Sequence, residues 1–415
     1  MGRWERREDL KNLTLIGASA WAAVLATGGL LLANRMSTPQ AAPPHRPTRV
    51  TVATYSFGGA VPLSGSDRLF GRVRTVDGRE LVGFIRWDRN EGSWTDVLDA
   101  IKVSDGHESQ SGIRFGQIQR IRVDGSRRAL LTLRSGARVE MSARATDLGQ
   151  GLRALVVAGP DGGSSEMRWS DLDAVEFLPA PEGERPAEGR LYGTLTTRSG
   201  ARFTGRVTWD VDEIYTTDVL DGDRDGRRVK IPFGAIQRIE RHGSRAAHVV
   251  LTSGDALTLS GTNDVNDENG GISVSDPSLG QVMVPWDDFV EVTFAEAPQD
   301  ADRVTFDGGR PIVGTVVTEG GERLTGQVRW DNDEASTWEM LDGRSGGADF
   351  EIEFAQIRRI AKADAGARVT LKDGRSFQLT GSNDVNRENR GIVVDTGDGI
   401  RKVRWEDFRE LLLGD

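Results

Sequence analysis

Two nine-residue segments of the chain carry oxygen-bearing side chains at alternate positions. Residues 261–269 read GTNDVNDEN and residues 381–389 read GSNDVNREN, the closest match between any two repeats of the chain. Hard oxygen donors on a tightly turned backbone are what a Ca²⁺ loop requires. The candidate calcium ligands are Asp264, Asn266, Glu268, Asp384, Asn386 and Glu388. The wider set of candidate binding residues adds Asn263, Asn269, Asn383 and Asn389.

A structural turn is the alternative interpretation of these segments, because Asn and Asp side chains also bond their own backbone in turns. Counted from Asp264, the sixth residue is Asn269 rather than Gly and the twelfth is Ser275 rather than an acid. The corresponding segment nearer the N-terminus, residues 145–150, has degenerated to ATDLGQ. These departures from a Ca²⁺ loop favour the turn over the metal site.

Carboxylates also recur in a Trp-Asp pair and in a Leu-Asp pair, whose Asp lies twelve residues after the Trp. Catalysis needs one asymmetric constellation, so three copies of the same polar turn argue against an acid/base pair. The chain has no Cys and only four His, and it contains no Ser-His-Asp grouping, phosphate-binding glycine loop or HExxH motif. We therefore predict that the protein is not an enzyme. The repeated carboxylates are Asp88, Asp210 and Asp331, followed by Asp99, Asp221 and Asp342.

The elements that carry these residues form an internal repeat. One closing phrase, apolar-x-aromatic-x-x-apolar-x-x-apolar, ends six segments of the chain, as in residues 113–121 (IRFGQIQRI). The six segments group into three modules of two halves each, because the Trp-Asp pair recurs at intervals of 122 and 121 residues. Tryptophans in phase with aliphatic strand residues are predicted to fill the cores. They are Trp87, Trp169, Trp209, Trp286, Trp330 and Trp405.

The local pattern of every half predicts short β-strands. Apolar residues alternate around Asp-Gly or Ser-Gly, which is the strongest short-range hairpin signal, and the closing phrase suits a strand, one 3₁₀ turn and another strand. The 51 glycines are consistent with many tight turns. We expect an all-β fold of tandem small barrels, although the pattern leaves open whether the six units close separately or share strands within a pair. The predicted β modules are residues 67–178, 189–295 and 310–415, joined by linkers 179–188 and 296–309.

The first halves resemble the Sm-like fold, a five-stranded SH3-like β-barrel. The first Sm-like motif has two glycines five residues apart, as here from Gly78 to Gly83, and its second motif, Ile-Arg-Gly-x-x-Ile-x-x-Ile, is similar to residues 113–121. The Gly of the second motif is displaced or missing in the other modules, which have Pro232 and Glu353 in this phrase. The Asn-bearing base pocket of Sm proteins has no clear match. The resemblance therefore implies tandem SH3-like barrels rather than RNA binding.

The N-terminus is predicted to be a membrane signal. Residues 13–33 carry no charge, and 21 residues at about 1.5 Å each span the roughly 30 Å core of a bilayer. Four cations precede this run and one follows it at once, which keeps residues 1–12 in the cytoplasm and exports the remainder. Residues 34–66 begin with a Pro-rich stretch and form a spacer. An uncleaved signal-anchor and a cleaved signal peptide are the two alternatives.

Charge and hydropathy limit the classes of function. The mean hydropathy of -0.41 excludes several membrane spans, and the net charge of -10 opposes nucleic-acid binding. Residues 1–49 hold seven cations and three acids, a net charge of +4, so the rest of the chain carries a net charge of -14. We predict a bacterial inner-membrane protein with one pass and a periplasmic or extracellular body, or a secreted protein after signal cleavage. Its repeats would bind proteins or assemble, self-association included, without a cofactor. The alternative is a ligand-binding repeat protein for cell-wall glycan or Ca²⁺, using the Asn-Asp-Val-Asn turns and exposed Trp.

Overall fold

The computed structural model describes residues 61–62, 67–104, 107–143, 146–159, 162–298, 301 and 305–414. The predicted cytoplasmic segment 1–12, the membrane helix 13–33 and most of the spacer lie outside these residues. Within them, no helix has the length and apolar character needed to cross a membrane. The strands described below belong to one compact unit, residues 57–415.

The described chain is all-β, as the alternating pattern predicts, and its strands form three large antiparallel sheets. A short strand β1 (Val61–Pro62) precedes module 1. The strands of module 1 are β2 (Phe70–Thr75), β3 (Glu80–Trp87), β4 (Val97–Ser104), β5 (His107–Arg114), β6 (Ile118–Asp124), β7 (Arg128–Leu133), β8 (Arg138–Ser142), β9 (Leu155–Ala158), β10 (Ser164–Met167) and β11 (Leu172–Phe177).

Modules 2 and 3 repeat this order of strands. Module 2 has β12 (Tyr192–Thr197), β13 (Arg202–Thr208), β14 (Val219–Arg224), β15 (Arg227–Pro232), β16 (Ile236–Arg241), β17 (Ala246–Leu251), β18 (Ala256–Ser260), β19 (Ile272–Asp276), β20 (Gly280–Val284) and β21 (Phe289–Phe294). After β22 (Thr305–Phe306), module 3 has β23 (Val313–Thr318), β24 (Arg323–Arg329), β25 (Met340–Ser345), β26 (Ala348–Glu353), β27 (Ile357–Ala363), β28 (Gly366–Leu371), β29 (Ser376–Leu379), β30 (Ile392–Asp395), β31 (Ile400–Val403) and β32 (Phe408–Leu413).

The 3₁₀ turns fall on the two sequence motifs that recur. Four of the six closing phrases contain a 3₁₀ turn after the first strand, as expected, and the other two contain hydrogen-bonded turns at Trp286 and Trp405. The remaining 3₁₀ turns are at the Asn-Asp-Val-Asn segments and their module 1 counterpart. Among the described residues, the seven 3₁₀ turns are Phe115–Gln117, Gly149–Gly151, Trp169–Asp171, Phe233–Ala235, Asn263–Val265, Phe354–Gln356 and Asn383–Val385.

The two halves of each module exchange strands. In module 1 the second strand of the first half, β3, pairs with β9 of the second half, while β8 of the second half pairs with β4 of the first. The last strands of the halves, β6 and β11, pair with each other. Module 2 repeats all three pairings, and module 3 repeats them with a single bridge between Arg344 and Thr380 in place of the second. A half therefore leaves strand edges unpaired when it is alone, and the paired halves form one structural unit.

Glycine is required where an exchanged strand passes closest to its partner. A Cβ added at Gly83 of β3 would overlap the carbonyl oxygen of Ala158 in β9. Five residues earlier, Gly78 has a φ of 83° in the hairpin turn and open space around it. The five-residue glycine step thus combines a turn that needs a left-handed residue with a close approach of two backbones.

The modules join through a strand pairing and through shared cores. Strand β20 of module 2 pairs with β26 of module 3, so the β25–β26 hairpin belongs to the sheet of module 2. Modules 2 and 3 share one hydrophobic core. Module 1 has a core of its own, into which Phe306 of the second linker and Trp338 of module 3 insert. All six repeated tryptophans are buried, as predicted.

The three modules meet at a buried cluster of charged and polar side chains, which we call the three-module junction. The Arg114 guanidinium of module 1 lies 3.6 Å from the Glu353 carboxylate of module 3, and both side chains are at most 1% exposed. Arg114 also donates to the carbonyl oxygens of Asp276 (2.8 Å) and Pro277 (3.0 Å) in module 2. Gln117 donates to the other Glu353 oxygen at 2.6 Å. One arginine therefore contacts all three modules.

Candidate functional site

The three sequence motifs that carry chemistry-bearing residues meet at one place in each module, which we call the Trp-Asp junction. In module 2 the indole N–H of Trp209 donates to the carbonyl oxygen of Asp264 at 2.9 Å. The Asp264 carboxylate accepts the backbone N–H of Asp221 at 2.5 Å. The carboxylate of Asp210 accepts from the Asn263 side chain and from the backbone N–H of Gly270. The Trp-Asp pair, the Leu-Asp pair and the Asn-Asp-Val-Asn segment are thus parts of one hydrogen-bonded structure.

The junction is built in the same way in the other modules, including module 1, whose segment has degenerated. In each case a Trp indole and a backbone N–H from the Leu-Asp strand bond to a single Asp. In module 3 the Trp330 indole N–H donates to the carbonyl oxygen of Asp384 at 3.0 Å, and the Asp384 carboxylate accepts the backbone N–H of Asp342 at 2.7 Å. In module 1 the Trp87 indole N–H donates to the carbonyl oxygen of Asp147 at 2.8 Å, and the Asp147 carboxylate accepts the backbone N–H of Asp99 at 2.7 Å.

The turn after each tryptophan has a left-handed backbone. In module 2, Asp210 and Val211 have φ values of 46° and 64°, and the equivalent residues of modules 1 and 3 have nearly the same values. Two successive residues with positive φ are typical of a type I′ turn, which favours Asn, Asp and Gly. Val211 is strained there because its β-branched side chain disfavours a left-handed backbone.

Modules 1 and 3 place an arginine beside the buried carboxylate of this turn, and module 2 does not. Arg153 donates from its backbone N–H to Asp88 at 2.6 Å, and its guanidinium lies 3.3 Å from the same carboxylate. Arg390 pairs with Asp331 at 2.8 Å in the same manner. The equivalent residue in module 2 is Gly270, which supplies the backbone N–H but no charge. The buried acids of module 2 therefore lack the cation that the other modules have.

Burial makes the acids of the module 2 junction hold protons more tightly than exposed carboxyl groups do. Burial raises the pKa of Asp210 to about 8 and that of Asp264 to about 6. Burial, followed by the charge of Asp212, raises the pKa of Glu213 well above its ordinary value, and Oε2 of Glu213 is buried without a hydrogen bond. Arg153 of module 1 reaches only the outer acid, Asp212, at 3.4 Å. Near neutral pH this junction therefore carries less charge than its number of carboxyl groups suggests.

Some of the candidate binding residues of module 2 are buried and others are exposed. Asp264 and Asn269 are buried, and the Asn269 amide oxygen accepts the N–H of Gly271 at 2.9 Å. The amide oxygen of Asn266 accepts the N–H of Glu268 at 2.7 Å, while the Glu268 side chain is exposed. The three proposed calcium ligands are thus not brought together around one point. Among the described residues, no group of three or more His, Cys, Asp or Glu side chains is arranged to hold a metal ion.

The candidate residues of module 3 have the same hydrogen bonds. Asn383 donates to the Asp331 carboxylate, Asn386 accepts the N–H of Glu388 at 2.7 Å, and Asn389 accepts that of Gly391 at 3.0 Å. Asp384 is buried, and burial raises its pKa to about 7. Asn386 and Glu388 differ from their module 2 counterparts in one respect, since they line a cleft of about 700 Å³. Calcium binding by either segment stays a prediction.

Sequence reasoning missed two features of this region. Aligned modules place Arg153, Gly270 and Arg390 at one position, so the missing cation of module 2 was visible as a substitution. The alternative function relied on exposed tryptophans, whereas every tryptophan among the described residues is 6% exposed or less. Their large rings lie in the hydrophobic cores, and Trp405 also lines the module 3 cleft.

Comparison with known proteins gives no relative of established function. No protein-family model and no curated protein sequence matches the chain. A streptogramin B lyase structure is weakly similar, at 10% identity over 86% of this chain and 97% of that chain, with a TM-score of 0.13. A similarity at that score carries no argument about fold or activity.

Proposed function

We propose that the chain is a non-catalytic, membrane-anchored envelope protein whose β modules bind partner proteins or assemble through the open edges of their sheets. We further propose that each module is a pair of SH3-like barrels that exchange strands. Open strand edges bind extended segments because main-chain hydrogen bonds supply affinity and the alternating side chains supply selectivity.

The observation that carries this proposal is the pairing between modules 2 and 3. Residues Gly280 to Met283 of β20 run antiparallel to Asp349 to Ile352 of β26, so two modules already join edge to edge. Strands β31 of module 3 and β15 of module 2 are the counterparts of β20 and β26 in the repeat. Each of them is the terminal strand of its sheet.

The charges on these two terminal strands indicate the kind of partner. Cationic side chains on an edge strand discourage pairing with a second copy of the same edge. They also favour an extended segment that carries acidic residues. The cations are Arg227, Arg228 and Lys230 on β15, with Arg401 and Lys402 on β31.

The buried carboxylates that accept a backbone N–H at each Trp-Asp junction support a role without catalysis. Asp264 and Asp384 each bond a backbone N–H inside their own module, and so does Asp147. An acid that acts on a substrate needs access to it, whereas these groups are buried and used by the fold. Their threefold recurrence agrees with such a use.

Site-specific photocrosslinking in living cells tests the edge-binding proposal. A photoreactive residue at Ile400, which lies on β31 and is 71% exposed, should give discrete protein adducts. The matched control is Val76, which is 69% exposed but lies in a turn away from any sheet edge, and it should give none of these adducts. Identical patterns at both positions, or no adduct at Ile400, would refute edge binding.

The proposed location needs a separate experiment, because the strand edges say nothing about it. We propose that residues 13–33 anchor the protein in the inner membrane with its body outside the cytoplasm. Sedimentation with membranes after a carbonate wash, together with an N-terminal sequence that begins before residue 13, is the expected result. A soluble form that begins after residue 33 would show signal cleavage instead.

A further inference from the structure

The cleft of module 3 exists because one hairpin is a residue shorter there than in the other modules. Ala129, Ala247 and Ala367 occupy equivalent positions after this hairpin, whose turn in module 3 consists of Asp364 and Ala365 alone. The strands pair as Ala363 with Gly366 on either side of that turn. Residues of this hairpin form one wall of the cleft.

In modules 1 and 2 the longer hairpin is hydrogen-bonded to the loop opposite it. The carbonyl oxygen of Ser126 accepts the N–H of Gln150 at 3.1 Å in module 1, and that of Ser244 accepts the N–H of Asp267 at 2.8 Å in module 2. Both bonds tie the hairpin to the loop of the Asn-Asp-Val-Asn segment. The counterpart of Gln150 and Asp267 in module 3 is Arg387, which lines the open cleft instead.

The shorter hairpin also removes the acceptor of a tryptophan N–H. Trp169 donates to the Gly125 carbonyl at 2.9 Å and Trp286 to the Gly243 carbonyl at 3.2 Å. Trp405 lies at the equivalent position and lines the cleft, and its indole N–H has no acceptor in the part of the chain that the structure describes. A buried ring with an unused donor at its rim is available to a ligand rather than to the fold.

We propose that this cleft binds a saccharide through its hydroxyl groups. The lining offers donors from Trp405 and Arg387 and acceptors from the exposed carboxylates of Asp364 and Glu388. A hydroxyl both donates and accepts, so a polyhydroxylated ligand can satisfy this mixed set. Lys362 is already paired with Glu319 at 3.0 Å, and the remaining charges have both signs, which disfavours a phosphate or a divalent cation. This proposal is independent of binding at the strand edges.

Calorimetric titration of the full chain in a sugar-free detergent tests the proposal. The probes are two neutral tetrasaccharides, the N-acetylglucosamine tetramer and maltotetraose, and at least one should bind. In the decisive variant, residues 363–366 are replaced by the longer module 2 sequence of residues 242–246. This graft should fill the cleft and abolish binding. Failure of both tetrasaccharides to bind, or binding that the graft leaves unchanged, would overturn the proposal.

A milder pair of variants guards against a graft that does not fold. Trp405→Phe removes the N–H and keeps an aromatic ring, so affinity should fall about 3- to 10-fold, as expected for one lost hydrogen bond. Trp286→Phe makes the same change in module 2, where the N–H bonds Gly243, and affinity should stay unchanged. Equal effects of the two variants would contradict binding in the module 3 cleft.

Discussion

Removal of the Arg114 guanidinium should destabilise the protein strongly, because it leaves Glu353 buried without its counter-charge. Arg114→Met keeps the apolar length of the side chain and deletes its ion pair at 3.6 Å and its bonds to the carbonyls of Asp276 and Pro277. Breaking a buried pair by removing one partner costs about 3–5 kcal/mol. The midpoint of urea unfolding, followed by tryptophan fluorescence, should therefore fall by about 1 M or more.

The double variant Arg114→Met/Glu353→Leu separates the loss of the pair from the burial of a lone charge. Replacing both members of a buried pair by apolar residues is often neutral or stabilising, so the double variant should recover at least half of the loss. Arg404→Met is the matched surface control, since Arg404 and Asp407 pair at 3.3 Å with both side chains more than half exposed. It should change stability by about 0.5 kcal/mol or less.

The pH dependence of the Arg114→Met effect has a defined sign. Burial raises the pKa of Glu353, and Arg114 opposes that rise. Without Arg114 the pKa is higher still, so the folded variant binds a proton that the unfolded chain releases, and the variant recovers stability as the pH falls. Two results would refute the role of the three-module junction. One is a free energy of unfolding for Arg114→Met within about 1 kcal/mol of the wild-type value, and the other is a loss of stability that does not become smaller at acidic pH.

Four further substitutions test the local physics of the repeats by urea unfolding. Val211→Asn should raise stability by about 1 kcal/mol, because Asn tolerates the φ of 64° better than a β-branched residue. Burial raises the pKa of Asp210 to about 8, so between about pH 4 and pH 8 the folded chain holds a proton that the unfolded chain has released. The free energy of unfolding should therefore fall by about 1.4 kcal/mol for each pH unit over this range. The double variant Val211→Asn/Gly270→Arg supplies the cation of the other modules and should reduce this dependence of stability on pH. An unchanged dependence would contradict its assignment to Asp210. Gly83→Ala should destabilise by several kcal/mol because its Cβ overlaps β9, whereas Gly78→Ala, strained only by its φ, should cost about 1 kcal/mol.

The sequence predicts the local structure well because that structure is encoded locally. Alternating apolar residues, Asp-Gly turns and the closing phrase locate the strands and 3₁₀ turns without knowledge of their neighbours. The exchange of strands between halves is not encoded locally. Strand β3 has the same alternation whether it pairs with β4 of its own half or with β9 of the other half. Two halves that share one pattern therefore cannot reveal which of the two pairings forms.

The contacts between modules escaped the sequence for a related reason. Arg114, Pro232 and Glu353 occupy the same position in the closing phrase, where Arg114 matches the Sm-like motif and the other two residues depart from it. Arg114 and Glu353 form the buried pair of the three-module junction, although they are more than 200 residues apart. The sequence shows that the residue at this position differs between modules but not that two of these residues meet.

The candidate site was predictable in its parts but not in its geometry. The Trp-Asp, Leu-Asp and Asn-Asp-Val-Asn motifs were each visible as repeats, and their convergence on Asp264 required the fold. The cleft beside Trp405 depends on a one-residue difference in hairpin length. Such a difference is small in an alignment, and only the structure shows that it opens a space of about 700 Å³.

Strand exchange also sets the order in which the protein can be made. The first strand of module 1, Phe70–Thr75, pairs with the last, Leu172–Phe177, so the module cannot complete its sheet until its whole length has been synthesised. At about 5–20 residues per second, that wait lasts roughly 5–20 s for each module. During this time the exposed strands of a nascent half need protection from incorrect pairing, above all with the identical strands of neighbouring chains that are translated from the same mRNA.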